Sequence, residues 1–230
     1  MKINADFNRR VLIHSRQLDW LESPMPGVSR RPLDRVGNEV ARATSIVRYA
    51  PESKFSPHIH AGGEEFIVLE GVFQDEHGDF PEGSYIRNPP ASKHRPSSAL
   101  GCVIFVKLWQ FDPQDKIHLR LNIDFMQTTP HKNLPGVSVT SLFRDAVEEV
   151  AIVDLDAHTN LELLTNNGAE MFVLEGELTE GFDTLTKHSW LRTPIDSKLS
   201  INTGAKGAKI WLKKGHLRRV NSEILRVQDA

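Results

Sequence analysis

The stretch Pro57-His58-Ile59-His60-Ala61-Gly62-Gly63-Glu64-Glu65 gathers two imidazoles and a carboxylate, and His94 follows 30 residues after Glu64. In a β-strand alternate side chains share a face, so His58 and His60 can present two ring nitrogens to one ion. The Ala61-Gly62-Gly63 turn lets the chain reverse and brings Glu64 alongside as an oxygen donor. His94, beyond a turn carrying Pro89 and Pro90, can reach the same point from another strand. Imidazole and carboxylate together suit Zn, Fe(II), Mn, Ni or Co and argue against Ca or Mg. The chain has a single cysteine, Cys102, which excludes an internal disulfide and any multi-cysteine zinc site. A metal centre therefore has to be built from the 10 His and the carboxylates.

A His-x-His pair alone is commonly a polar stripe on a solvated strand. An internal repeat supplies the control. Gly63-Glu64-Glu65-Phe66-Ile67-Val68-Leu69-Glu70-Gly71 returns as Gly168-Ala169-Glu170-Met171-Phe172-Val173-Leu174-Glu175-Gly176, an offset of 105. Ser84-Tyr85-Ile86-Arg87-Asn88-Pro89 returns at that offset as Ser189-Trp190-Leu191-Arg192-Thr193-Pro194, and Pro26-Gly27-Val28-Ser29 recurs as Pro135-Gly136-Val137-Ser138 at 109. In the second copy His58, His60, Glu64 and His94 become Leu163, Thr165, Ala169 and Leu199. All four candidate ligands vanish together while the flanking Gly, Glu, Arg and Pro positions persist, which marks them as one functional unit. Glu65 and Glu70 recur as Glu170 and Glu175 and read as scaffold or surface.

The elements that must position these residues are short strands. Thirteen Pro and 15 Gly separate segments rich in Val, Ile, Phe and Thr that alternate with polar residues, among them Ala43 to Tyr49, Glu65 to Glu70 and Cys102 to Trp109. Helical periodicity is confined to Asn221 to Val227, so an almost all-β protein is expected. Two copies of one β unit divide the chain into residues 1–118, with the metal ligands, and 119–230, without them. Phe66 and Val68 share the strand face of Glu64 and are candidate pocket-lining residues. Cys102 reads as a packing residue, and tryptophans 20, 109, 190 and 211 as residues of cores or of an interface between barrels.

Composition narrows the partners. With 28 Lys+Arg against 30 Asp+Glu, the net charge of -2 provides no basic field for nucleic acid or an anionic membrane. The longest wholly apolar run, Cys102 to Val106, is far short of the roughly 20 residues that span a bilayer. The polar start MKINADFNRR does not read as a signal peptide, and a cytoplasmic location is expected.

These residues resemble the cupin signature. His58, His60, Glu64 and Gly71 fit its first motif, with Glu52 in place of the leading glycine. Gly83, Pro89 and His94 fit its second, with Ala91 and Ser98 in place of a glycine and an asparagine. The resemblance implies a double-stranded β-helix, the jelly-roll barrel, in two tandem copies: a bicupin. PGVSRRPLDR, ATSIVRYAPESKFSPHIHAGGEEFIVLEGVFQDEHGDFPEGSYIRNPPASKHRP and GCVIFVKLWQF are more closely similar to the ChrR-type cupin domain, the C-terminal half of a zinc-dependent anti-sigma factor of the bacterial stress response to singlet oxygen. In that family the residues matching His58, His60, Glu64 and His94 bind zinc. Its sigma-binding activity lies in a separate helical domain with its own His and Cys ligands. This chain shows neither that helical pattern nor those cysteines, so sigma-factor binding is not expected.

The resemblance implies one divalent metal per chain, zinc first, with Fe(II), Ni or Mn as alternatives. Two functions follow: a sensory or ligand-binding module in stress-response regulation with a small-molecule ligand in the N-terminal barrel, or a dioxygenase of the three-His, one-Glu cupin type that cleaves a diketone or hydroxylated aromatic ketone. Zinc with four protein ligands favours the former; Fe(II), with two octahedral positions left, favours the latter. No catalytic base is evident apart from the ligands. A monomer and a homodimer are both compatible with the pattern.

Overall fold

The computed structural model describes residues 1–230. It is almost entirely antiparallel β, with the helix Val220–Gln228 at the C-terminus where the periodicity places it. No helix is long and apolar enough to cross a membrane.

The chain forms two compact units. The first comprises Met1–Ala5, Asp19–Phe125 and Asn221–Ala230, the second Asp6–Leu18 and Met126–Val220. This division is not the contiguous one expected, 1–118 and 119–230, and strand pairing is the reason. Val11–His14 hydrogen-bonds to Ser189–Thr193 in the second unit, and Leu119–Asn122 to Ser84–Asn88 in the first. Each copy's leading strand is thus built into the unit that holds the other copy. Segment 221–230 returns to the first unit, where Glu223 accepts a hydrogen bond at 2.7 Å from the buried Arg42.

In the first unit the sheet order is Lys2–Ile3, Val28–Gly37, Ala41–Tyr49, Cys102–Leu108, Glu64–Asp75, Ser84–Asn88, Leu119–Asn122. A separate ribbon pairs His58–His60 with Ser92–His94. In the second unit the order is Thr129–Pro130, Val137–Arg144, Glu149–Leu155, Ser197–Lys214, Ala169–Glu180, Ser189–Thr193, Val11–His14. Registers correspond as well as orders. His58 lies opposite His94 and His60 opposite Ser92 in one unit; Leu163 lies opposite Leu199 and Thr165 opposite Ser197 in the other. The ligand positions and their replacements therefore occupy equivalent places, and in the second unit Leu199 and Leu163 join the apolar core.

Strand alternation fills each unit. Along Ala41–Tyr49 the odd-numbered Ala41, Ala43, Ser45, Val47 and Tyr49 line an internal cavity. Arg42, on the opposite face, is covered by the C-terminal helix. The apolar core of the first unit packs Phe66, Val68, Phe73 and Ile86 against Ile104 and Val106.

Candidate metal centre

The four residues singled out by type and spacing do converge. The reversal after His60 is a tight turn in which the Gly63 N–H donates to the His60 carbonyl at 3.2 Å. Gly63 sits at φ +80°, a conformation that costs glycine little, and a Cβ there would stand 2.6 Å from the Phe111 ring. A Cβ on Gly62 would strike the Trp109 ring at 2.1 Å. The two glycines thus let the chain turn under these aromatic rings and deliver Glu64 to the histidines.

The Nε2 atoms of His60 and His94 lie 2.9 Å apart, and Glu64 Oε2 stands 3.3 Å from the first and 3.6 Å from the second. The donor nitrogens of His58, His60 and His94 all fall within 4.8 Å of one another. Two nitrogens bound to one ion at roughly 2.0–2.1 Å are separated by about 3–4 Å, so this spacing fits a metal. The outer nitrogens support the same use. His94 Nδ1 donates to Asp75 Oδ2 at 3.3 Å and His58 Nδ1 to the Ser56 carbonyl at 3.2 Å, which turns both Nε2 atoms inward. Asn88 Nδ2 donates to Glu64 Oε2 at 3.3 Å and steadies the carboxylate.

Burial pushes the His60 imidazole down, against the pull of Glu64 and with the help of His94 and His58. Burial also opposes charge on His94, but its hydrogen bond to Asp75 and the field of Glu64 prevail and hold it above the ordinary histidine value. Asp75, despite its burial, is held low by that bond to His94 and by the His77 backbone N–H.

Asp75 is the member that sequence reasoning missed. It lies eleven residues from Glu64 on the same strand, an odd separation that strict alternation sends to opposite faces. The register against Cys102–Leu108 skips Leu69, and this bulge returns Phe73 and Asp75 to the inner face.

Three of the four candidate ligands, His58, His60 and Glu64, line a cavity of about 430 Å³. Its apolar wall is Val47, Ile104, Val106 and Leu108. Phe66 and Val68, the expected wall, belong instead to the core behind it: the Phe66 ring is covered by Phe73 at 4.7 Å between centroids. Trp109 lines the cavity rather than a core, and Trp20 is stacked between the guanidinium groups of Arg31 and Arg48, 4.2 and 4.5 Å from its ring. Trp190 and Trp211 are buried as expected. Tyr49 also lines the cavity, and burial together with the Glu64 carboxylate pushes its phenol well up, so it stays a neutral donor. Glu65 is buried away from the cavity and accepts a hydrogen bond from the Tyr85 hydroxyl, the scaffold role its recurrence implies.

Residues 8–112 match the family model of the ChrR Cupin-like domain. No curated protein matches the chain in sequence. Among solved structures, a candidate dioxygenase from Nostoc punctiforme superposes with a TM-score of 0.74 at 15% identity, over 92% of this chain and 84% of that one. The Escherichia coli pirin YhhW in complex with nickel(II) gives 0.63 at 14%, over 90% and 98%. The oxalate decarboxylase of Lactobacillus farciminis, in a formate complex, gives 0.61 at 10%, over 89% and 85%. The fold is a cupin. In this fold the ribbon His58–His60 with Ser92–His94 carries three of the four candidate ligand positions, and the strand Glu64–Asp75 carries the carboxylate and the Asp75 that hydrogen-bonds His94.

Proposed function

We propose that this protein is a bicupin that binds one divalent metal, zinc in the first instance, through His58, His60, Glu64 and His94, and serves as a sensory or ligand-binding module in stress-response regulation. The carrying observation is the convergence of three imidazoles and one carboxylate on one point at the edge of a cavity that His58, His60 and Glu64 line, together with the replacement of all four by Leu163, Thr165, Ala169 and Leu199 in equivalent register. The likeness of residues 8–112 to the ChrR cupin-like domain supports the regulatory assignment. A bound metal supplies a Lewis-acidic point that fixes and polarises an oxygen donor of the ligand. The chain's own residues do the rest. Asp75 and the Ser56 carbonyl hold two imidazoles in the tautomer that faces inward, Asn88 steadies Glu64, and Val47, Ile104 and Val106 exclude water from the ligand's body.

The second reading is a three-His, one-Glu dioxygenase acting on a diketone or hydroxylated aromatic ketone. The observation that favours it is the cavity, which at about 430 Å³ has the size of a small-substrate pocket. Elemental analysis of protein purified without added metal, followed by oxygen uptake with acetylacetone or a hydroxyacetophenone, separates the two. Stoichiometric zinc without oxygen consumption is expected; iron with substrate-dependent consumption would overturn the sensory reading.

A further inference from the structure

Val28–Gly37 carries Arg30 and Arg35, whose separation of five residues sends them to opposite faces of a regular strand. The strand is not regular. Its register against Ala41–Tyr49 runs Pro32 to Ser45 and then Asp34 to Thr44, so Leu33 is bulged out and the alternation resets. Arg30 and Arg35 consequently line the same cavity as His58, His60 and Glu64.

Glu39 and Glu64 line the same cavity, but neither forms an ion pair with Arg30 or Arg35. Across the sheet Arg30 faces Val47 and Arg35 faces Ala43. Arg30 Nη2 donates to Ser23 Oγ at 2.6 Å, its Nε is buried without a partner, and Arg35 Nη2 donates to the Asn38 carbonyl. Burial, with the neighbouring charge of Arg30, pulls the Arg35 guanidinium below its ordinary value. The second unit behaves differently. At the offset of 109 Arg30 becomes Val139, while Arg35 becomes Arg144, which lies directly opposite Glu149. Where the metal-ligand set is absent one guanidinium is gone and the other faces a carboxylate; where the set is present both remain without one.

A divalent ion beside Glu64 leaves one net positive charge, to which Arg30 and Arg35 add two and Glu39, which also lines the cavity, subtracts one, so the cavity stays net positive. We infer that the cavity takes a small organic acid, its carboxylate held by Arg30 and Arg35, its apolar body against Val47, Ile104 and Val106, and a second oxygen directed at the metal position. A planar carboxylate matches the guanidinium fork, whose paired N–H groups give charge-assisted bonds. This deepens the ligand-binding reading above and rests on it for the metal-directed end alone.

The test uses the full-length metal-loaded protein, titrated calorimetrically with benzoate, salicylate and phenylpyruvate and with their methyl esters, metal content being measured on the same samples. The acids are expected to bind and the esters not. Arg30→Val, which places at this position the residue the second copy already carries, is expected to weaken acid binding by about tenfold or more with metal content unchanged. Arg30→Lys, which keeps the charge and loses the fork, should fall between the two. Absence of binding by all three acids, equal binding of acids and esters, or full acid affinity in Arg30→Val would overturn the proposal. Inorganic phosphate binding as tightly as the acids would overturn the carboxylate assignment. If the chain holds no metal and the acids still bind in an Arg30-dependent way, the metal reading fails and the carboxylate site stands.

Discussion

Asp75 and Cys102 show how much individual side chains depend on what surrounds them. Asp75 touches no metal position itself; it fixes the ring of His94 through Nδ1. Removing such a partner typically costs about 10–100-fold in metal affinity. Asp75→Ala should therefore weaken zinc binding by that order in a competition titration against a chromogenic chelator, while the circular dichroism spectrum stays that of the parent. Cys102 is buried among Ile104, Phe66 and Val68, and burial pushes its thiol up to about 11, against the small opposing effect of the Ser98 hydroxyl. At pH 8 its thiolate is a minute fraction of the total, and the thiolate is the reactive form. Ellman's reagent should find no reactive thiol in the native protein and one per chain in denaturant. Both His-x-His and the later His94 were legible because imidazole and carboxylate have few structural uses in such a cluster and the second copy acts as a control. Asp75, Arg30 and Arg35 were not, because two bulged residues, Leu69 and Leu33, alter the alternation on which strand reading relies.

Strands and the helix raise a different question: what holds buried charge in an almost all-β chain. Arg42 is wholly buried on the face of Ala41–Tyr49 that turns away from the cavity, 2.7 Å from Glu223 and 3.7 Å from Asp34. The helix Val220–Gln228 is anchored by that pair and by Arg226, which donates to the Phe111 carbonyl at 2.7 Å. Breaking a buried ion pair from one side leaves an uncompensated charge and costs about 3–5 kcal/mol. Glu223→Ala is expected to lower the unfolding free energy by that order in urea denaturation, and a change below about 1 kcal/mol would show that the helix does not depend on the pair. The turn between Val137–Arg144 and Glu149–Leu155 carries a pH-sensitive contact. Burial works against the Asp145 carboxylate, but the backbone N–H groups of Glu148 and Val147 and the Arg219 guanidinium hold its pKa below the ordinary value. The sign follows: a depressed folded pKa gives stability that is complete above about pH 4 and is lost as pH falls through the folded value. Asp145→Ala should lower the melting temperature at pH 7, and the gap from the parent should close as the pH approaches 2.

The molecule as a whole forms two compact β units of matching strand order, and the candidate metal ligands lie in the first. Its all-β character, the repeat and the cupin-like ligand spacing were all legible, because strand alternation, turn glycines and a fixed offset leave direct marks on the residues. The exchange of Val11–His14 and Leu119–Asn122 was not, since a strand's choice of partner depends on long-range pairing that local pattern does not encode. The two units share strand order and register but differ at the four candidate ligand positions. A chain with two equivalent barrels and one ligand set should bind one metal ion, and that ion should depend on the first copy alone. The most direct test is metal stoichiometry by inductively coupled plasma mass spectrometry on the parent, on the double variant His58→Ala/His60→Ala and on Thr165→Ala, each reloaded with zinc and dialysed. One equivalent per chain is expected in the parent and in Thr165→Ala, and none in the double variant; a full equivalent retained by the double variant would contradict the assignment.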